Sequence, residues 1–147
     1  MPSHMILIAG PYRSGTDGDP VRIAANLARL EATALAVYGR GHMPMIGEWA
    51  ALPLAAQAGS AHVGDGVSEQ FLYPVAARML RHCDGVLRIA GQSQGADGDV
   101  RLARELGLAV YYDLDELPAL AYAAGSAALQ TPDTGHTPTG CHARDLL

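Results

Sequence analysis

Two carboxylates, Asp97 and Asp99, follow directly on the turn Gly91-Gln92-Ser93-Gln94-Gly95. The turn opens a helix, and backbone N–H groups at such a start can hold an anion or a sugar hydroxyl. Carboxylates in a first helical turn are favoured by the macrodipole and kept ionised by it. A second group lies near the start of the chain, Gly10-Pro11-Tyr12-Arg13-Ser14. Gly10 permits close backbone approach, Tyr12 offers a stacking face, and Arg13 with Ser14 offers donors for a phosphate or carboxylate. Both groups have plain structural alternatives. Asp97 and Asp99 cap and complement a helix dipole, Gly-Pro turns the chain, Tyr12 covers a sheet edge and Arg13 is solvated.

The elements that must carry these residues follow from the apolar pattern. Met5–Ala9 is a continuous apolar run, too short for a helix and ended by Gly-Pro, which fits a buried parallel strand. Asp19 and Pro20 are an N-cap and a first-turn proline for a helix over 21–38, with Ile23, Leu27, Leu30, Ala34 and Val37 on one stripe. A second strand is expected over 42–46, and a helix from Ser68–Glu69 to about His82, with Pro74 near its start. A third strand over 85–90, a helix over 96–106 and a fourth strand over 108–112 complete a βαβ unit. The expected architecture is α/β: a flavodoxin-like or Rossmann-like three-layer sandwich with a four- or five-stranded parallel sheet. Ligands of such sheets bind at the carboxyl ends of the strands, where both groups fall.

Residues 47–66 show little pattern and read as a loop with one short helical turn above that edge. Within them Glu48 and Trp49 are candidate binding residues, although a lone tryptophan also serves as a core anchor. Asp84, just ahead of the third strand, is either a turn residue or a substrate contact. Residues 5–118 form the domain. A helix around 119–129, followed by a Thr/Pro/Gly-rich tail to Leu147, completes the chain.

Composition narrows the function. The formal net charge of −5 and the lack of a basic stripe argue against a nucleic-acid polymer, while a small nucleotide needs only two or three donors. Cys83 and Cys141 are far apart and form neither a disulfide framework nor a metal spacing, and the histidines show none either. No apolar run is long enough for a bilayer span, and no signal-peptide core is evident. A cytoplasmic protein without metal or redox cofactor is expected.

The strand and loop Ile-Leu-Ile-Ala-Gly-Pro-Tyr (6–12) resemble the opening of the nucleoside 2-deoxyribosyltransferase-like superfamily. The run from Cys83 through Ser93, Gly95, Ala96 and Asp99 to Gly107 is most similar to its DUF4406 branch. The resemblance covers about residues 5–118. It implies a flavodoxin-like fold, assembly as a homodimer or higher homo-oligomer, and cleavage of the N-glycosidic bond of nucleosides or nucleoside 5′-monophosphates, with another base or water as acceptor. Residue by residue, Asp99 falls at the position of the family's nucleophilic glutamate and is one methylene shorter. Ser93 and Gly95 match the turn that holds a 5′-phosphate or hydroxyl, Gly10 and Tyr12 match the loop whose aromatic packs on the base, and Arg13 and Ser14 are the donors if the substrate is a monophosphate. The family's aspartate in the helix before the third strand has no counterpart at residues 73–76, Tyr-Pro-Val-Ala, which leaves Asp97 or Glu48 to take its place.

Loss of a base from C1′ develops oxocarbenium character that a carboxylate can stabilise or trap, while a second group protonates the departing base. The residues thus point to an N-glycosidase or deoxyribosyltransferase-like enzyme. The alternative is a non-catalytic nucleotide-binding module that kept the pocket and lost turnover. A phosphoribohydrolase ranks last, since the Pro-Gly-Gly-x-Gly-Thr loop of that group is absent.

Overall fold

In a computed structural model, which describes residues 2–120, four parallel strands form one sheet in the order β2-β1-β3-β4. The strands are β1 (Met5–Ala9), β2 (Met43–Met45), β3 (Gly85–Arg88) and β4 (Ala109–Tyr111). The helices are α1 (Pro20–Gly39), α2 (Gly47–Gln57), α3 (Gly66–Leu80) and α4 (Gln94–Glu105), and Leu114–Glu116 adds a 3₁₀ turn. This is the expected α/β class, a flavodoxin-like three-layer arrangement.

Alternation along β1 explains the layering. Ile6 and Ile8 face α1 and pack with Leu30, Ala34, Val37 and Leu87. Leu7 and Ala9 face the opposite side, against Leu80 at the end of α3 and Ala96, Val100 and Ala103 of α4. Every β1 residue from Ile6 to Ala9 is buried, because a parallel strand covered on both faces has no polar side to show. Gly85 lets β3 approach its neighbour, since a Cβ there would lie 2.9 Å from the Ala109 carbonyl oxygen.

The segment expected as a loop differs most. Residues 47–57 form a full helix, α2, which packs on α3. Its buried residues are Gly47, Ala51 and Ala55, a small-residue stripe at helical spacing. The helices come so close that a Cβ on Gly47 would lie 3.1 Å from the Ala76 Cβ. Small side chains carry little hydropathy contrast, and Pro53 is exposed on the far side, so the helix left no periodic apolar signal.

Helix α3 also starts two residues earlier than Ser68. The Asp65 carboxylate caps it, accepting from the Ser68 N–H at 2.8 Å, and also accepts from the Ser60 hydroxyl and the Ala61 N–H, each at 2.8 Å. These hydrogen bonds hold Asp65 far below the usual carboxylate range. His42 is buried at the other end of the sheet. Its Nδ1 accepts from the His4 N–H at 3.1 Å and its Nε2–H donates to the Pro118 carbonyl at 2.8 Å. Cys83 is buried too, and burial followed by the Asp84 charge pushes its thiol up to about 11. Among the described residues, no helix is long and apolar enough to cross a membrane. The expected helix at 119–129, the tail and Cys141 lie outside the described residues, apart from the first two positions of that helix.

Candidate active site

The sheet order reverses direction between β1 and β3, so the loops leaving their carboxyl ends diverge to opposite faces and open a crevice. The loop after β1 is fixed from several sides. The Asn26 side-chain amide, on α1, donates to the Tyr12 carbonyl at 2.8 Å, and the buried Thr16 hydroxyl donates to the Arg13 carbonyl at 2.6 Å. Gly10 is required by space: a Cβ would fall 2.3 Å from Ile89 Cγ1. Pro11 is buried against Gly91, whose own Cβ would come within 2.6 Å of Pro11 Cγ and whose φ of +121° suits glycine alone. The two loops proposed from sequence therefore touch each other.

Ser93 is the N-cap of α4, its hydroxyl accepting from the Ala96 N–H at 3.1 Å. That leaves the hydroxyl proton available to a ligand. Arg88, at the end of β3, turns its guanidinium back into the β3–α4 turn. It donates to the carbonyls of Ile89 and Gly91 and pairs with Asp97 Oδ1 at 3.0 Å. This cation holds Asp97 on the outer side of the helix start, whereas Asp99, two residues on and about 200° around the helix, faces inward.

Between these loops lies a cavity of about 380 Å³, in the range of small-molecule sites. Gly10, Tyr12, Arg13 and Ser14 line it from the first loop, Ser93, Gly95 and Asp99 from α4, and Glu48 from the first turn of α2. Helix α3 closes the remaining side with Glu69, Leu72, Tyr73 and Ala76.

Electrostatics divides the carboxyls. Burial pushes Asp99 up to about 7; the Glu48 charge adds to the rise and Arg88 opposes it. Burial also raises Glu48, partly offset by a hydrogen bond from its own backbone N–H. Tyr12, only 7 % exposed, is raised by burial and by Glu48, with Arg13 opposing. Two carboxyls in one desolvated cavity do not both ionise readily, so the pair keeps a proton up to near neutral pH. Glu69 behaves differently, forming an ion pair with Arg13 at the cavity wall.

Eight of the residues singled out from sequence thus line one cavity: Gly10, Tyr12, Arg13, Ser14, Glu48, Ser93, Gly95 and Asp99. Pro11 supports it from behind. Three others lie elsewhere. Asp97 is engaged by Arg88 outside the lining. Trp49 is 40 % exposed and its indole N–H donates to Glu31 on α1 at 3.3 Å, because one residue along a helix rotates the side chain about 100° away from Glu48. Asp84 sits at the amino end of β3, opposite the crevice, where its carboxylate accepts from the Met5 N–H at 2.8 Å and pins the start of β1.

Glu69, Leu72, Tyr73 and Ala76 were not foreseen. Their i, i+3, i+4, i+7 spacing on a helix was the available signal. Among the described residues, no group of three or more His, Cys, Asp or Glu side chains is placed to hold a metal ion. No protein-family model matches the chain, and no curated protein matches it either.

Proposed function

We propose that the protein cleaves the N-glycosidic bond of a nucleoside or nucleoside 5′-monophosphate, passing the sugar to water or to another base. The observation that carries this reading is the convergence of Asp99, Glu48, Tyr12 and Ser93 on one cavity at the switch point of the sheet. In this reading the Tyr12 ring packs against the base and the Ser93 hydroxyl, its lone pair occupied by the Ala96 N–H, donates to the sugar.

The carboxyl pair supplies the chemistry. Asp99 and Glu48 share a proton below about pH 7. In this reading Asp99, at the position the resemblance gives the nucleophile, takes its ionised form as positive charge develops at C1′ and attacks or stabilises that carbon. The shared proton then resides on Glu48, the acid for the departing base. Glu48, which lines the cavity from α2, takes in this reading the part of the carboxylate absent from α3. Water or an incoming base completes the reaction.

The test is to incubate the full chain with the common nucleosides, deoxynucleosides and their 5′-monophosphates, with and without acceptor bases, and follow free or exchanged base by chromatography. Release or exchange is expected. Ligand binding without either outcome replaces the enzyme with a binding module.

A further inference from the structure

We propose that this site selects an uncharged nucleoside and discriminates against its 5′-monophosphate, through an internal ion pair that occupies the phosphate donor. The inference rests on the functional reading above and narrows its substrate class.

Three observations carry it. First, among the described residues lining the cavity, Arg13 is the only cation, whereas Glu48, Glu69 and Asp99 supply three carboxyl groups. A dianionic phosphate entering such a cavity meets a surplus of acid, even with one proton on the Asp99–Glu48 pair. Second, Arg13 is already committed. Its guanidinium pairs with Glu69 and lies over Gly64, where a Cβ would come 3.1 Å from Nη2. The Glu69 carboxylate engages Arg13 Nη1, so a full charge-paired grip on phosphate requires that pair to break and leaves Glu69 facing the incoming anion.

Third, the turn at the start of α4 is narrowed on one side. The Tyr73 ring lies directly against Gly95, such that a Cβ there would be 3.0 Å from Cε1. Asp97, in the first turn of α4, already complements the helix dipole. A 5′-hydroxyl, which is small, neutral and able to accept from Ser93 or donate to a carboxylate, meets none of these obstacles.

Glu69→Gln is the informative variant, since it keeps the shape of the side chain and releases Arg13. Binding of the four 2′-deoxynucleosides, of their 5′-monophosphates and of inorganic phosphate is measured by calorimetry, and base release from the same substrates by chromatography. The wild-type protein is expected to prefer nucleosides by at least about tenfold, the scale of one charge-assisted hydrogen bond. Glu69→Gln is expected to shift the ratio of monophosphate to nucleoside affinity by about tenfold towards the monophosphate and to tighten inorganic phosphate binding, and adding Arg13→Gln to it should erase the gain. Thermal melts of each variant confirm folding.

A wild-type protein that prefers monophosphates, or takes both equally, overturns the inference and leaves N-glycosidic cleavage standing. An unchanged ratio in folded Glu69→Gln overturns it as well. Preferential nucleoside binding with no base released anywhere removes the enzymatic reading and keeps the selectivity; no binding of any compound removes both.

Discussion

Asp99→Asn should make this protein more stable, and only above the acidic range. A carboxyl held near 7 in the folded chain and at its ordinary 3.8 in the unfolded chain loses stability as pH rises between those two values. The sign follows from linkage: in that window the folded state binds the extra proton, so raising pH favours unfolding. A rise from 3.8 to about 7, at about 1.36 kcal/mol per pKa unit, corresponds to about 4 kcal/mol. Solvent at the cavity mouth lowers this to roughly 2–4 kcal/mol. Asparagine carries the neutral shape without the charge. Urea unfolding of the wild-type protein and of Asp99→Asn is therefore expected to give nearly equal stabilities at pH 4, and a variant ahead by roughly 2–4 kcal/mol at pH 8. The reasoning fails if the two proteins keep the same gap at both pH values, or if the variant is the weaker at pH 8. Either outcome means that the Asp99 carboxyl is solvated and is not desolvated against Glu48.

Three further outcomes follow. Base release should fall as pH rises through about 7, where the Asp99–Glu48 pair loses its last proton, and a pH–rate profile flat across that range contradicts the proton-sharing role. Gly10→Ala should cost about 1–3 kcal/mol and weaken binding, because its Cβ overlaps Ile89 Cγ1 at 2.3 Å; in denaturant melts the double variant Gly10→Ala/Ile89→Ala should lose less than the sum of the singles. Asp84→Ala should lower stability by about 0.5–1.5 kcal/mol through the lost Met5 N–H bond and leave base release unchanged, and a large loss of turnover would place this residue in the site after all.

What could be read from the sequence, and what could not, divides along physical lines. The strands of the sheet core were legible because β1, covered on both faces, appears as an unbroken apolar run, and β3 carries buried Val86 and Leu87 between Gly85 and Arg88. Both site loops were legible because glycine, proline and a capping serine mark where backbone geometry is special, and Gly10, Gly91 and Ser93 hold such positions in the fold. Helix α2 was hidden because its contact with α3 is made by Gly47, Ala51 and Ala55, where closeness replaces side-chain size.

The carboxylates were the hardest to sort. Asp97 and Asp99 share a helical turn, and the helix phase together with the Arg88 ion pair to Asp97 leaves Asp99 facing the cavity. Asp84 looked like a site residue in one dimension, yet the register of β1 on β3 puts it at the far edge of the sheet. Glu69 marks only a helix start in the sequence; with Asp65 as the cap of α3, it stands further along the first turn and pairs with Arg13 at the cavity wall.

The account stands on Asp99 acting on the glycosidic carbon from within a pocket that binds the nucleoside independently of that charge. The direct measurement is a paired one on Asp99→Asn: nucleoside affinity by calorimetry and free base by chromatography, beside the wild-type protein. The expected result is affinity within a fewfold of wild type with base release reduced by at least about a hundredfold. Base released by Asp99→Asn at the wild-type rate would contradict the account.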